Sequence, residues 1–147
     1  MRYAALAMLG CTAISGAVIL GAWLTRGEVR RARVRHGRHR RLPPALVFGH
    51  VGLALVAAAT WTTFVVLGNY GIAVAAFVML GATAVLGVTM FIRWIPTYRS
   101  LVESGEGPGA AHRAPREPNL PIRVVLVHGC LAVGTASLAL AVLIAKG

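Results

Sequence analysis

Apolar residues run along this chain in long unbroken stretches, separated by short and densely charged ones. No charged side chain occurs between Tyr3 and Thr25, between Leu42 and Ile92, or between Val124 and Ala145. An apolar stretch of about 20 residues crosses a hydrocarbon core at ~1.5 Å per helical residue. The middle stretch, 51 residues long, is twice what one crossing needs, and Gly68-Asn69-Tyr70-Gly71 cuts it with a turn signal between two helices. The pattern predicts one all-α polytopic membrane domain over 1–147, with four transmembrane helices near 3–25, 44–67, 72–93 and 123–145. Met1-Arg2 before an apolar run, with Leu9-Gly10-Cys11 inside it, has some features of a cleaved leader. The run continues to Leu24, too long for a signal core, and the dense positive charge follows it, so a retained span is expected.

The spans repeat. Met8-Leu9-Gly10-Cys11-Thr12-Ala13-Ile14-Ser15-Gly16 aligns with Met79-Leu80-Gly81-Ala82-Thr83-Ala84-Val85-Leu86-Gly87, identical at six of nine positions, and the same offset of 71 carries Trp23 onto Trp94. Leu42-Pro43 and Leu120-Pro121 open the other two segments, and His50-Val51-Gly52-Leu53-Ala54 matches His128-Gly129-Cys130-Leu131-Ala132 at an offset of 78. The expectation is two tandem-duplicated helical hairpins, about 3–67 and 72–145, related by a pseudo-two-fold axis along the membrane normal. The intervening 96–121 segment is rich in Pro and Gly and carries both signs of charge, which predicts an irregular linker.

Composition agrees with this pattern, with 57% hydrophobic and 13% charged residues. The net charge of +11 would suggest nucleic acid, but its distribution says otherwise. Eight arginines lie within Arg26–Arg41, and Arg93, Arg99, Arg113, Arg116 and Arg123 flank or occupy the later loop. Loops 26–43 and 96–121 are therefore expected on the cytoplasmic side, with both termini and the 68–71 turn outside. Their expected partners are anionic lipid headgroups, since no aromatic residues interleave the basic run to stack on bases. Tyr3 and Tyr70 fall at the outer edge of the spans and Trp23, Trp94 and Tyr98 at the inner edge, as interfacial belts do. Cys11 and Cys130 lie inside spans at unequal depth, which argues against a disulfide. The use of 14 Arg to one Lys, with abundant Ala, Val and Gly, suggests a high-GC bacterial genome and a plasma-membrane location.

Two of the five histidines change the picture. His36, His39 and His112 fall in the loops, whereas His50 and His128 lie about 9–10 Å inside parallel spans, at matched depth. Ionisable residues inside a bilayer are costly, so a functional role is the first hypothesis for them. Two neutral imidazoles facing each other across an axis are the ligand set of a six-coordinate haem iron. Small residues near them (Ala54, Ala57 and Ala58 on one span, Ala132, Thr135 and Ala136 on the other, with Gly49, Gly52 and Gly129 beside the rings) would leave space for a haem b. Arg41 and Arg123 stand where its propionates would reach the cytoplasmic surface. The same small residues also suit direct helix packing, with each imidazole bonded to a neighbouring carbonyl or a water. A bare zinc ion is a poor fit to two histidines without a carboxylate or a close thiol.

Four helices with His50 and His128 on parallel spans resemble the small membrane b-type cytochromes of the cytochrome b561-like type. Those proteins hold two haems with four histidines. With one pair, the resemblance implies a single haem near the cytoplasmic face, and complete transmembrane electron transfer by this chain alone is then in doubt. Glu28, Glu103, Glu106 and Glu117 all lie in loops, which speaks against a proton pump or cation carrier. No Ser-His-Asp set, phosphate loop or full metal cluster is present, so the chain is at most an electron-transfer or haem-sensing subunit. The alternative is a cofactor-free accessory or scaffold subunit that docks small-residue faces onto partner helices. A small homo-oligomeric carrier ranks third, for want of a polar pathway.

The topology makes a direct prediction. Asn69→Cys should react with a membrane-impermeant thiol reagent on intact cells, and Gly109→Cys only after permeabilisation. The reverse pattern would invert the assignment.

Overall fold

The computed structural model describes residues 1–25, 42–103 and 122–145. It contains four helices: α1 (Arg2–Thr25), α2 (Pro44–Leu67), α3 (Tyr70–Glu103) and α4 (Ile122–Ile144). Segments Arg2–Leu24, Pro44–Leu67, Tyr70–Ile95 and Ile122–Ile144 are each long and apolar enough to cross a membrane. Most of both basic loops, including the Arg26–Arg41 run and Arg41 itself, lies outside the described residues.

Local chemistry sets the boundaries. Pro44 starts α2, where its missing N–H would have no intrahelical partner anyway. Gly68 ends it at φ 72°, a left-handed conformation that glycine adopts without a Cβ clash, and its N–H bonds the Phe64 carbonyl at 2.8 Å. Asn69 then accepts the Ile72 N–H on its side-chain oxygen at 3.3 Å, which caps the start of α3. One expectation is corrected here. The irregular linker does not begin at residue 96, because α3 continues through Pro96 to Glu103. Proline removes one backbone hydrogen bond and bends a helix without necessarily ending it.

The helices follow the order α1, α2, α3, α4 around the bundle. Close packing runs between α2 and α3 and between α1 and α4, with sparser contact between α1 and α2 and between α3 and α4. Helices joined by the long loops are therefore not each other's main packing partners. Each relies on a helix from the other half of the chain.

The core has two parts. At the end that carries the Gly68 turn, Trp61 and Phe64 are fully buried and pack edge to face with ring centroids 5.1 Å apart. Ala73, Ala76 and Ala139 pack into the same cluster at 0% exposure, where a side chain of one methyl group lets backbones approach. At the loop end, Trp23, Leu42 and Val47 form a second cluster with Leu20 and Met90. His50 and His128 lie between the two.

Burial repeats along the chain. At an offset of 71, Ala5 and Ala76 are both buried, as are Trp23 and Trp94. At an offset of 78, Ala57 and Thr135, Trp61 and Ala139, Phe64 and Val142, and Val65 and Leu143 are buried in pairs. The outward face of the spans is mostly apolar, with Ile14, Leu55, Val66, Val85 and Val133 exposed, and the exposed Thr62, Thr63 and Thr89 hydroxyls donate to their own helix carbonyls.

Overpacking the turn-end core should be costly. Ala139→Leu should destabilise the bundle by about 1–3 kcal/mol in detergent unfolding. Lipid-facing Ile14→Ala should stay within about 0.5 kcal/mol. Equal effects would place Ala139 outside the tight core.

Candidate functional site

Two imidazoles meet in the middle of the bundle. His50 lies on α2 and His128 on α4, which are diagonal in the bundle order, and their ring centroids are 6.4 Å apart with planes inclined at 71°. Each ring is held by the first helix of the other half. His50 Nδ1 is 3.0 Å from the Thr83 carbonyl on α3. His128 Nδ1 is 3.1 Å from the Thr12 carbonyl on α1 and 3.0 Å from Ser15 Oγ. A carbonyl oxygen only accepts, so Nδ1 carries the proton in His50, and the neutral ring keeps its lone pair on Nε2. The same tautomer satisfies His128, because Ser15 Oγ already donates to the Thr12 carbonyl at 2.8 Å and has lone pairs free.

The residues that make these carbonyls reachable lie one turn further along. Gly16 follows Thr12 by four positions and Gly87 follows Thr83 by four. In an α-helix, the side chain at i+4 stands over the carbonyl of residue i, which bonds the i+4 N–H with one lone pair and keeps the second. Without a side chain there, the imidazole reaches that second lone pair. A Cβ on Gly16 would lie 3.0 Å from His128 Cε1, and one on Gly87 would lie 3.2 Å from His50 Cε1. Both distances are closer than ordinary van der Waals contact.

The predicted site residues divide. His50 and His128 are brought together. Arg123 lies exposed at the start of α4, while Arg41 is outside the described residues. Gly52 and Gly129 are exposed, with open space where a Cβ would go, so neither borders the rings. Ala57 and Thr135 are buried below the pair, towards the turn end. Thr12, Ser15, Gly16, Thr83 and Gly87 were not among the predicted site residues. A signal for four of them was in the sequence, since Thr12/Thr83 and Gly16/Gly87 are among the six identical positions of the two aligned segments.

Other polar groups near the pair are few. Trp23 packs against Val47, one turn from His50, and its buried indole N–H has no hydrogen-bond partner among the described residues. The Trp61 indole N–H, in the turn-end core, is in the same state. Among the described residues, no group of three or more His, Cys, Asp or Glu side chains converges on a metal-sized site. Cys11 and Cys130 are free and exposed. No family model, curated protein or solved structure matches the chain.

The glycine contacts can be tested directly. Gly16→Ala and Gly87→Ala should each destabilise the detergent-solubilised protein by about 1 kcal/mol or more through overpacking against a ring. Gly52→Ala should be neutral or stabilising, since alanine is the better helix former. A stable Gly16→Ala, Gly87→Ala double variant would show that the rings are not held against these helices.

Proposed function

We propose that this chain is a membrane electron-transfer or haem-sensing protein that holds one haem b in the centre of its bundle, with His50 and His128 as axial ligands. The observation that carries the reading is the 6.4 Å separation of the two ring centroids across the diagonal. Two metal–nitrogen bonds of about 2 Å and the radii of two five-membered rings span about 6.3 Å. The donor set also fits. Each Nδ1–H is engaged by a backbone carbonyl, the outer partner that fixes a ligating histidine's tautomer and strengthens Nε2 as a ligand. On the loop side, the Trp23 indole N–H, without a partner among the described residues, and the exposed Arg123 guanidinium are donors suited to carboxylates, with Arg41 as a further candidate from outside the described residues. Bound there, the group would supply a one-electron centre, while the protein supplies ligands, orientation and a low-dielectric surround.

We read the chain as two tandem copies of a helix–loop–helix unit, with both termini outside and both basic loops in the cytoplasm. The paired burial at offsets of 71 and 78 supports the duplication. The concentration of arginine in the two loops supports the orientation. On this reading the haem lies nearer the cytoplasmic face. Trp61 and Phe64 occupy the outer half of the core, and electrons would be exchanged with a partner from the inner side. Bacterial plasma membrane is the location that the Arg-rich coding bias favours.

One observation favours a second reading. Both Nδ1 atoms are satisfied within the protein, so the pair is also stable as a purely structural contact in a cofactor-free scaffold subunit. An absorbance spectrum, reduced minus oxidised, separates the two. The haem reading predicts a six-coordinate low-spin b-type spectrum that His50→Ala and His128→Ala each abolish. A protein that stays colourless after expression with ample haem would sink it and leave the scaffold.

A further inference from the structure

The two imidazoles sit in related positions but unequal surroundings. Ser15 has Leu86 as its counterpart at the offset of 71, and Thr135 has Ala57 at the offset of 78. His50 therefore has the Thr83 carbonyl at 3.0 Å, whereas His128 has both the Thr12 carbonyl at 3.1 Å and Ser15 Oγ at 3.0 Å. The Ser15 hydroxyl donates to the same Thr12 carbonyl at 2.8 Å, so ring and hydroxyl share that oxygen's spare lone pair, while Oγ, polarised by donating, becomes the better acceptor for the ring proton. Below the ring, Thr12 Oγ1 and Thr135 Oγ1 lie 3.0 Å apart, so either hydroxyl can turn from its own helix carbonyl, at Met8 or Leu131, to bridge α1 and α4. On the α2–α3 side, Ala57 has no hydroxyl to offer. Thr83 Oγ1 bonds its own helix at the Met79 carbonyl, as Thr12 Oγ1 does at Met8, and the cross-helix contact here is the longer one from Thr60 Oγ1 to Met79 Sδ at 3.7 Å.

We infer that Ser15 is a positioning residue that makes the pair unequal, so that His128 is the anchored ligand and His50 the exchangeable one. A ring whose Nδ1–H is shared by two acceptors is held more firmly, and its Nε2 is the stronger donor to a metal. His50, with one acceptor, gives way first. A small neutral ligand such as carbon monoxide would then enter on the His50 side of the reduced haem. The firmness of the two rings does not depend on haem, whereas their ranking as ligands rests on the haem reading above.

The first measurement needs no cofactor. In protein labelled with 15N-histidine and held in bicelles, the Nδ1–H of His128, shared between two acceptors, should exchange with solvent about fivefold more slowly than that of His50, which has one. Ser15→Ala should bring the two together, and Leu86→Ser, which places a hydroxyl beside His50, should slow the His50 exchange. Equal rates in the wild type, or rates unmoved by Ser15→Ala, would overturn the role of Ser15. The second measurement uses haem-loaded protein. His50→Ala should retain haem as a five-coordinate form that binds carbon monoxide, and His128→Ala should retain about tenfold less. Equal retention, or the opposite order, would overturn the ranking while leaving the bis-histidine site intact. A colourless wild type would overturn the ranking together with the haem reading, while the exchange rates would still decide the role of Ser15.

Discussion

An imidazole inside an apolar bundle must have its ring N–H accepted by something, because an unpaired polar group there costs several kcal/mol. In this protein the acceptors are main-chain carbonyls of intact helices, at Thr12 and Thr83. A helical carbonyl has a spare lone pair but is shielded by the side chain four residues on. Glycine at that position removes the shield. The Thr-x-x-x-Gly pattern, present as Thr12–Gly16 and Thr83–Gly87, is thus a receptor for an imidazole from a neighbouring helix.

That single requirement accounts for much of the arrangement. The receptor for His50 is on α3 and the receptor for His128 is on α1, so each ring is satisfied only when the two halves of the chain pack against each other. The close helix pairs, α2 with α3 and α1 with α4, are the ones these bonds join. With α2 and α4 left diagonal, the two ring centroids come within 6.4 Å of each other. The alanine-rich packing of the turn end and the Trp23 cluster of the loop end close the bundle above and below, so the histidine level is where polar chemistry can be housed. Ser15 and Thr135, without polar counterparts, then make the two sides of that level differ.

Much of this was legible in the sequence. The lengths of the uncharged stretches gave the four helices, and equal depth in parallel spans singled out His50 and His128. Distance along the chain misled where rotation about a helix matters. Gly52 is two residues from His50, about 200° around the helix at 3.6 residues per turn, and Gly129 is about 100° from His128. Both therefore face away from the site, and the glycines that touch the rings belong to other helices. Helix pairing was also hidden, because a hairpin pattern does not say which helix its face will meet. The continuation of α3 past Pro96 was missed because proline was weighed as a stop in a segment rich in loop residues. The aligned segments held the missing information, since Thr and Gly stand at the same spacing in Thr12–Gly16 and Thr83–Gly87.

The central claim is that one pair of opposed imidazoles makes one haem site per chain. It is tested most directly by titrating haem into the purified protein and counting the bound haem at saturation against protein concentration. The account predicts saturation at one haem per chain, with the same endpoint whether the protein is monomeric or associated. Absence of saturable binding, or an endpoint of one haem per two chains, would contradict it.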